Sequence, residues 1–395
     1  MKRRKILFVE QNVDGTIGGS HYCLLYLVQK LNRNIYEPII AFYEPNQLMG
    51  LFSKEGKTIV FNKAKNVTFD NIVLRKLINI LINMIFVFRC IFFLLKNKIN
   101  LVHLNNSVAV GYDTWLVACL LTGVPCITHE RNFDRFDRFN RLNLPLFKIL
   151  SSRYNKVLTV SDVIRDNLIS QGFDPKIVET VYDGIDAEKY RQRVSRTRDE
   201  IFKEFGIDKG SYLIGLIGNI REWKGQELLI DSLDIINKQV SNFVCLFIGD
   251  VSKNSDEDLK FKDKLVKKID QYGLEEKIIF TGYRSDVPDL VNALDVQINA
   301  SIKPDPFPHV ILEGMSLGKV VIATNLGGAI ESIDNGRSGF LVTATQPQDL
   351  AEKIITVLRD DKLRKSMSEN AKERIKIFSM ENNLINTEKI YKAML

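Results

Sequence analysis

Short apolar runs rich in β-branched residues alternate with longer stretches of helical periodicity along most of this chain, and that alternation limits the fold more than any other feature. KILFVEQ, YEPIIAFYE, TIVFN, INLVHLNN, VPCITHE and KVLTVSD read as strands that end in polar residues, with helix-like SHYCLLYLVQKL and YDTWLVACLLTG between them. The charged, non-periodic RQRVSRTRDE (191–200) interrupts the pattern and reads as a linker or as a helix entering a new domain. The pattern then restarts with YLIGLIGN, FVCLFIGD, KIIFTGY, VQINAS, KVVIATN and GFLV. Strand–helix alternation is the signature of parallel, doubly wound sheets. Occurring twice, it predicts an α/β protein of two Rossmann-like domains facing a cleft, residues 1–190 and 191–377, with ligands at the carboxyl ends of the strands.

A length of 395 residues suits two or three domains. The five cysteines are scattered through apolar segments without a C-x-x-C pair, which reads as buried thiols in a reducing cytosol. MKRRKILFVEQN is basic and then strand-like, with an apolar run too short for a signal peptide, so it reads as the first strand. Charge is uneven: residues 1–198 hold 29 Lys+Arg and 17 Asp+Glu, a net +12, against 26 and 31, a net −5, in the remainder. The basic half either faces an anionic partner, such as a membrane surface or nucleic acid, or carries a solvated basic face. LINILINMIFVFRCIFFLL (77–95) has sixteen apolar residues in nineteen and approaches a transmembrane helix in length and hydropathy. Yet INLVHLNN follows directly and must join the same sheet as KILFVEQ. The segment therefore reads as a helix buried on one face, with either lipid or more protein on the other. Arg75, Lys76, Arg89, Lys96 and Lys98 would favour anionic headgroups.

The segment KPDPFPHVILEGMSLGKVV (303–321) leaves a strand through a proline-rich loop and enters a helix. The N–H groups of His309, Val310 and Ile311 would point out of the helix start and offer an anion or sugar-hydroxyl site. Glu313 lies one turn inside the helix and Asp305 on the loop. Carboxylates accept well from vicinal hydroxyls, so one acid could hold a ribose and the other a sugar ring; alternatively they are a turn residue and a solvent-facing helix residue. Gly18 and Gly19, between the first strand and helix, allow close backbone approach to a phosphate or form an ordinary turn; DGTIGGS does not supply G-x-G-x-x-G. His129, at a strand end, could meet a sugar hydroxyl or be a satisfied core histidine. Lys224, in the loop after LIGLIGN, could neutralise a departing diphosphate. No metal site is expected: His21, His103, His129 and His309 lack ligand spacing, and the acids of DRFDRFNR (134–141) sit beside arginines. No Ser/His/Asp nucleophile motif appears.

PDPFPHVILEGMSLGKVVIATNLGGAIESI resembles the nucleotide-sugar segment of family-4 glycosyltransferases, which carry E-x7-E with Pro-Phe after the first acid and a later GG…E. GLIGNIREWKGQELLIDSL, IIFTGYRSDVPDLVNALDVQINAS, VSDVIRDNLISQGFDPKIVETVYDGID, PCITHERN and GGSHYCLLYLVQKL resemble further segments of that family, in the family's order and over nearly the whole chain. The resemblance implies the GT-B architecture, with a nucleoside-diphosphate sugar on the C-terminal domain and the acceptor on the N-terminal one. It implies that residues 378–395 form a helix crossing back to the N-terminal domain. It also implies retention of configuration without a metal or cofactor. Carried over, the catalytic residues are His129, Lys224 and Asp305. The donor-binding residues are Gly18, Gly19, Asn219, Arg221, Lys224, Tyr283, Arg284, His309, Val310, Ile311 and Glu313, with Tyr283 and Arg284 at the nucleobase. Asn219 replaces a family arginine, for which Arg221, two positions on, is either a substitute or an exposed residue; Asp305 is one methylene shorter than the family glutamate; Asp183 reads as a turn residue. The expected function is sugar transfer to a glycan or lipid-linked acceptor in cell-surface polysaccharide or glycolipid synthesis, by a cytoplasmic protein with peripheral contact to an anionic inner membrane face and no nucleic-acid partner. The rivals are an epimerase or phosphorylase on the same architecture, and a non-catalytic, membrane-associated nucleotide-sugar sensor.

Overall fold

A computed structural model describes residues 3–11, 19–62, 67–68, 71–105, 114–132, 149–252 and 255–395. The chain divides into two compact units, Met1–Gly184 with Met380–Leu395, and Ile185–Ser379. Each is a parallel sheet dressed with helices.

In the first unit the strands are β1 (Arg4–Glu10), β2 (Tyr36–Phe42), β3 (Lys57–Val60), β4 (Leu101–Asn105), β5 (Cys126–Glu130), β6 (Lys156–Thr159) and β7 (Val178–Thr180). They lie in the order β3-β2-β1-β4-β5-β6-β7. The chain winds outward from β1 to β3 and returns to the other side of β1 at β4, so the strand order reverses there. The return runs through the helix Ile72–Asn97. The Asn71 side chain accepts from the N–H groups of Val73 and Leu74 to start that helix. Lys98, at φ 53, closes it by donating its N–H to the carbonyls of Leu94 and Leu95. The helix is long and apolar enough to cross a membrane by length and composition. However, β3 and β4 belong to one sheet, so both of its ends stay on one side. Its wholly buried residues are Phe86, Cys90 and Leu94, a stripe one residue wide at four-residue spacing.

The helix Met380–Met394 belongs to this first unit. Its Ile390 and Tyr391 join Leu24, Val28 and Tyr36 in the core, and the Tyr391 hydroxyl lies 2.6 Å from Nδ1 of His103.

The second unit holds β8 (Tyr212–Ile217), β9 (Phe243–Ile248), β10 (Ile278–Gly282), β11 (Val296–Asn299), β12 (Val320–Thr324) and β13 (Gly339–Val342). Their order is β10-β9-β8-β11-β12-β13, and the reversal falls between β8 and β11. Ile214, Phe243, Val296 and Ile322 meet Leu229, Leu233, Ile354 and Leu358 of two covering helices in the main core cluster. All five cysteines are buried, and none forms a disulfide among the described residues.

The charged stretch 191–200 is not a solvated linker. Thr197 and Glu200 form a capping box that starts the helix Arg198–Glu204. Ser195 donates from its N–H and hydroxyl to Asp289, Arg196 pairs with Glu204 and Asp286, and Arg198 pairs with Asp295. These bonds fix the stretch to the second unit. Its boundaries accordingly fall after Gly184, where residue 190 was expected, and after Ser379, where 377 was expected. Ile185 pairs with Ser379 and donates its N–H to the Phe378 carbonyl at 2.9 Å, which brings the two ends of the unit together. Strand β7 was not anticipated, because three residues carry no measurable period.

Candidate functional site

Two loops leave the second sheet at its reversal, one after β8 and one after β11. In an open parallel sheet such a switch point is where a ligand finds a crevice between loops turning opposite ways. Here the loops are bound closely together. Gly225 has φ +74, and a Cβ on it would lie 1.8 Å from the Ala300 carbonyl oxygen, so both its torsion and its neighbour require glycine. Ile302 donates its N–H to the Trp223 carbonyl at 2.8 Å.

This contact brings Lys224 and Asp305 together. Lys224 Nζ donates to Asp305 Oδ2 at 3.0 Å and lies 4.0 Å from the centre of the Trp223 ring. The side chains are 19% and 18% exposed, so the pair is sheltered but reachable. The backbone of Asp305 is held from its other side, where Gly328 donates its N–H to the Asp305 carbonyl at 2.9 Å. Gly327, at φ +57, permits that approach, since a Cβ there would lie 2.1 Å from the same oxygen.

The helix His309–Ser316 follows Asp305 and carries Glu313. Glu313 is half-buried, and the Tyr190 hydroxyl donates to its Oε2 at 3.2 Å. Burial raises the Glu313 carboxyl above the usual carboxylate range, opposed in part by His309, the Tyr190 hydrogen bond and Arg193. Of the three N–H groups expected to be free at this helix start, that of Ile311 is not: it donates to the Pro308 carbonyl at 3.0 Å, because the first turn is tight. Val310 is held through its carbonyl, which accepts from Gln297 Nε2 at 2.6 Å.

The remaining expected donor residues are differently placed. The Asn219 side chain is exposed while its carbonyl accepts from Gln226 Nε2 at 2.9 Å. The Arg221 guanidinium donates to Asp258 at 3.1 Å and to Ser252 at 2.6 Å, so it is committed to the turn before the helix Asp256–Tyr272. The Arg284 side chain is likewise committed, to Asp286 and Glu204, and these hydrogen bonds raise its already high pKa. Tyr283 is 84% exposed just after β10. Gly19 opens the helix Gly19–Lys30 of the first unit; Gly18 and the segment 134–141 lie outside the described residues.

His129 sits near the end of β5 within a buried polar network of the first unit. Arg131 donates to His129 Nδ1 at 3.3 Å and to Asn105 Oδ1 at 3.1 Å, and it pairs closely with Asp183. Asn105 in turn donates to Glu10 at 2.6 Å, and His21 lies 3.7 Å from the same carboxylate. The His129 ring stacks on His103 at 5.9 Å. Burial, and then the Arg131 charge, push His129 well below its usual pKa and His103 down to about 3, so both are neutral near pH 7. Asp183, read as a turn residue, is thus the buried counter-ion of Arg131. Sequence reading missed Glu10, Asn105, Arg131 and Asp183 as one network. The available signal was that Glu10, Asn105 and Glu130 are the last residues of their strands.

Comparison with known proteins agrees with both sheets. Among solved structures, the Anabaena protein HepE in complex with UDP superposes with a TM-score of 0.82, at 23% identity over 98% of this chain and all of that one. A structure of HepE with UDP-glucose gives 0.79 at the same identity, over 98% and 99% of the two chains. An uncharacterised glycosyltransferase of Methanocaldococcus jannaschii is 29% identical over 63% of this chain and 62% of its own length. The galactosyltransferase of Escherichia coli that acts from UDP-Gal on α-D-GlcNAc-diphosphoundecaprenol is 23% identical over 71% of each chain. The chain thus spans about three fifths to seven tenths of the length of these curated relatives. The family model for Glycosyltransferase Family 4 matches residues 17–189, and that for Glycosyl transferases group 1 matches residues 197–374. The chain thus carries a Glycosyltransferase Family 4 region that falls almost wholly in its first compact unit and a Glycosyl transferases group 1 region within its second.

Proposed function

We propose that this chain transfers a sugar from a nucleoside-diphosphate sugar held on the second unit to a glycan or lipid-linked acceptor held on the first. The observation that carries the reading is the Lys224–Asp305 pair at the strand-order reversal, sheltered and fixed by loop contacts at Gly225 and Gly327. An ammonium at that point meets the negative charge that grows on the diphosphate as the glycosidic bond breaks. An arriving diphosphate competes with Asp305 for Lys224, which frees the carboxylate to accept from a sugar hydroxyl. Glu313 accepts from the ribose hydroxyls. Tyr283, exposed beside β10, stacks on the base, while Arg284 contributes its backbone because its side chain is engaged. His129 stays neutral and orients Arg131 near the acceptor unit's strand ends. The UDP and UDP-glucose of HepE support a uridine nucleotide as the first donor class to try, and the E. coli relative supports a diphospholipid acceptor. The leaving charge is assigned to Lys224 and not to a metal, and the reaction is assigned retention of configuration.

A thermal-shift screen against nucleotide sugars, followed by mass spectrometry of products with diphospholipid and soluble glycan acceptors in the presence and absence of EDTA, tests this reading. It expects one donor to stabilise the protein, a product one sugar heavier, an anomeric centre of unchanged configuration, and no effect of EDTA. Donor isomerisation without acceptor would replace it with an epimerase. Stabilisation without any product would favour a sensor, and loss of activity in EDTA would move the leaving charge to a metal.

A further inference from the structure

With only Phe86, Cys90 and Leu94 wholly buried, the helix Ile72–Asn97 turns most of its apolar surface outward: Val73, Ile80, Met84, Phe88 and Phe92 are 51–68% exposed. Soluble surfaces rarely show a contiguous apolar face of this extent without a partner. Beside it runs the helix Thr114–Thr122, whose Leu121 is 68% exposed. A groove of about 370 Å³ lies between the two helices, lined by Ile80, Met84, Phe88 and Ile91 on one side and Val117 and Leu121 on the other. Its polar members are Asn83 and Thr114, and the buried Thr114 hydroxyl has no hydrogen-bond partner among the described residues.

The charge around this face narrows the choice of occupant. No Asp or Glu occurs between Asp70 and Asp113. Arg75 and Lys76 stand near the start of the long helix, and Lys96 and Lys98 at its end. Arg89 is already used, lying 5.0 Å over the Phe61 ring and donating to the Asn62 carbonyl. An apolar middle with cations at both ends fits a helix lying in the plane of an anionic bilayer, where the ends meet headgroups and the middle meets acyl chains. A second copy of the chain would bring these like charges to one contact with no acids to offset them. The sheet excludes the spanning alternative, because β3 and β4 hold both ends of the helix on one side.

We propose that this face docks in the plane of an anionic phospholipid bilayer and that the groove takes one acyl chain of a phospholipid from it. The inference gives the expected peripheral membrane contact a site and an occupant. It is independent of the donor reading, since vesicles report it without turnover.

The test uses the full chain with Leu121→Trp as a reporter at the groove mouth, its signal read as the difference from the parent chain with Trp115 and Trp223 alone, and phosphatidylglycerol vesicles with brominated acyl chains. The expected result is co-sedimentation at low salt, weakened at high salt as the Debye length shrinks to about 3 Å at 1 M, together with loss of the reporter's fluorescence by bromine quenching. Phe88→Asp with Phe92→Asp, both at exposed positions, should lower vesicle binding at least about tenfold without changing thermal unfolding. In the Leu121→Trp chain without the aspartates, Val117→Phe fills the groove from the side of the helix Thr114–Thr122 and should relieve the quenching while co-sedimentation persists. Failure to sediment with phosphatidylglycerol at low salt overturns the docking. Quenching unchanged by Val117→Phe overturns the groove. A lipid-free dimer that Phe88→Asp abolishes would assign the face to a second copy.

Discussion

Lys224 is held at 3.0 Å by Asp305, so its position is fixed and its charge partly offset. Under the proposed function, such a group would serve the bond-breaking step more than ground-state binding, because a diphosphate gains charge as its bond to the sugar breaks. Lys224→Ala should therefore lower kcat about 100-fold with a smaller change in KM, read by steady-state kinetics with the preferred donor. A rise in KM at unchanged kcat would make Lys224 a binding residue only. Glu313 invites a different measurement. Burial raises its pKa, so the carboxyl keeps its proton to a higher pH than an ordinary glutamate. Only the ionised form accepts on both oxygens, and one oxygen already accepts from Tyr190. Donor affinity should thus fall as pH drops through that raised pKa, and titration calorimetry across mildly acidic to neutral pH should show the slope. Glu313→Gln should bind more weakly at neutral pH and lose the slope; a slope that survives it would belong to another group.

At the scale of elements, the loops after β8 and β11 act as one piece because Gly225 lets them touch. Gly225→Ala places a methyl on the Ala300 carbonyl and strains a left-handed torsion, so it should cost roughly 4 kcal/mol or displace the loop. Urea unfolding reads the first outcome and loss of the Lys224 contribution to kcat reads the second; a variant normal in both would show the contact to be dispensable. Strands of this kind were legible in the sequence because each is an unbroken apolar run ending in polar residues, as YLIGLIGN and KVVIATN show. The loop residues Lys224 and Asp305 were legible as motif members, but their contact was not, since it depends on how two loops 81 positions apart meet. Arg221 and Arg284 illustrate the limit from the other side. Both were placed at the donor through the resemblance, and the sequence did not show that Asp258, Asp286 and Glu204 engage their side chains in the folded chain.

For the molecule as a whole, the doubled α/β architecture was readable from the restart of the strand pattern, while the unit boundaries were not. They depend on the pairing of Ile185 with Ser379 and on bonds from Ser195, Arg196 and Arg198, none of which has a local signature. The buried network around Arg131 was hidden for the same reason: Asn105 reaches Glu10 across 95 positions and Arg131 reaches Asp183 across 52. Tyr391 reaches His103 across 288 positions, a longer interval than either. Tyr391→Ala removes a fully buried ring and that hydrogen bond. It should destabilise the first unit by about 3–5 kcal/mol and leave the unfolding transition of the second unit in place, as separate tryptophan signals from Trp115 and Trp223 would report. Equal loss in both transitions would mean that the units unfold as one.

The helix Met380–Met394 also sets a timetable. A growing polypeptide exposes Met1–Gly184 first, but Ile390 and Tyr391 emerge only after the ribosome has finished Ile185–Ser379. At about 5–20 residues per second that interval lasts roughly ten to forty seconds. Throughout it the earlier-made half waits with an unfilled seat beside Leu24, Val28 and Tyr36, while the later-made half has all it needs to close. Vectorial synthesis would then complete the two halves in the reverse of their genetic order, and the nascent amino-terminal half would be the one a chaperone must shield.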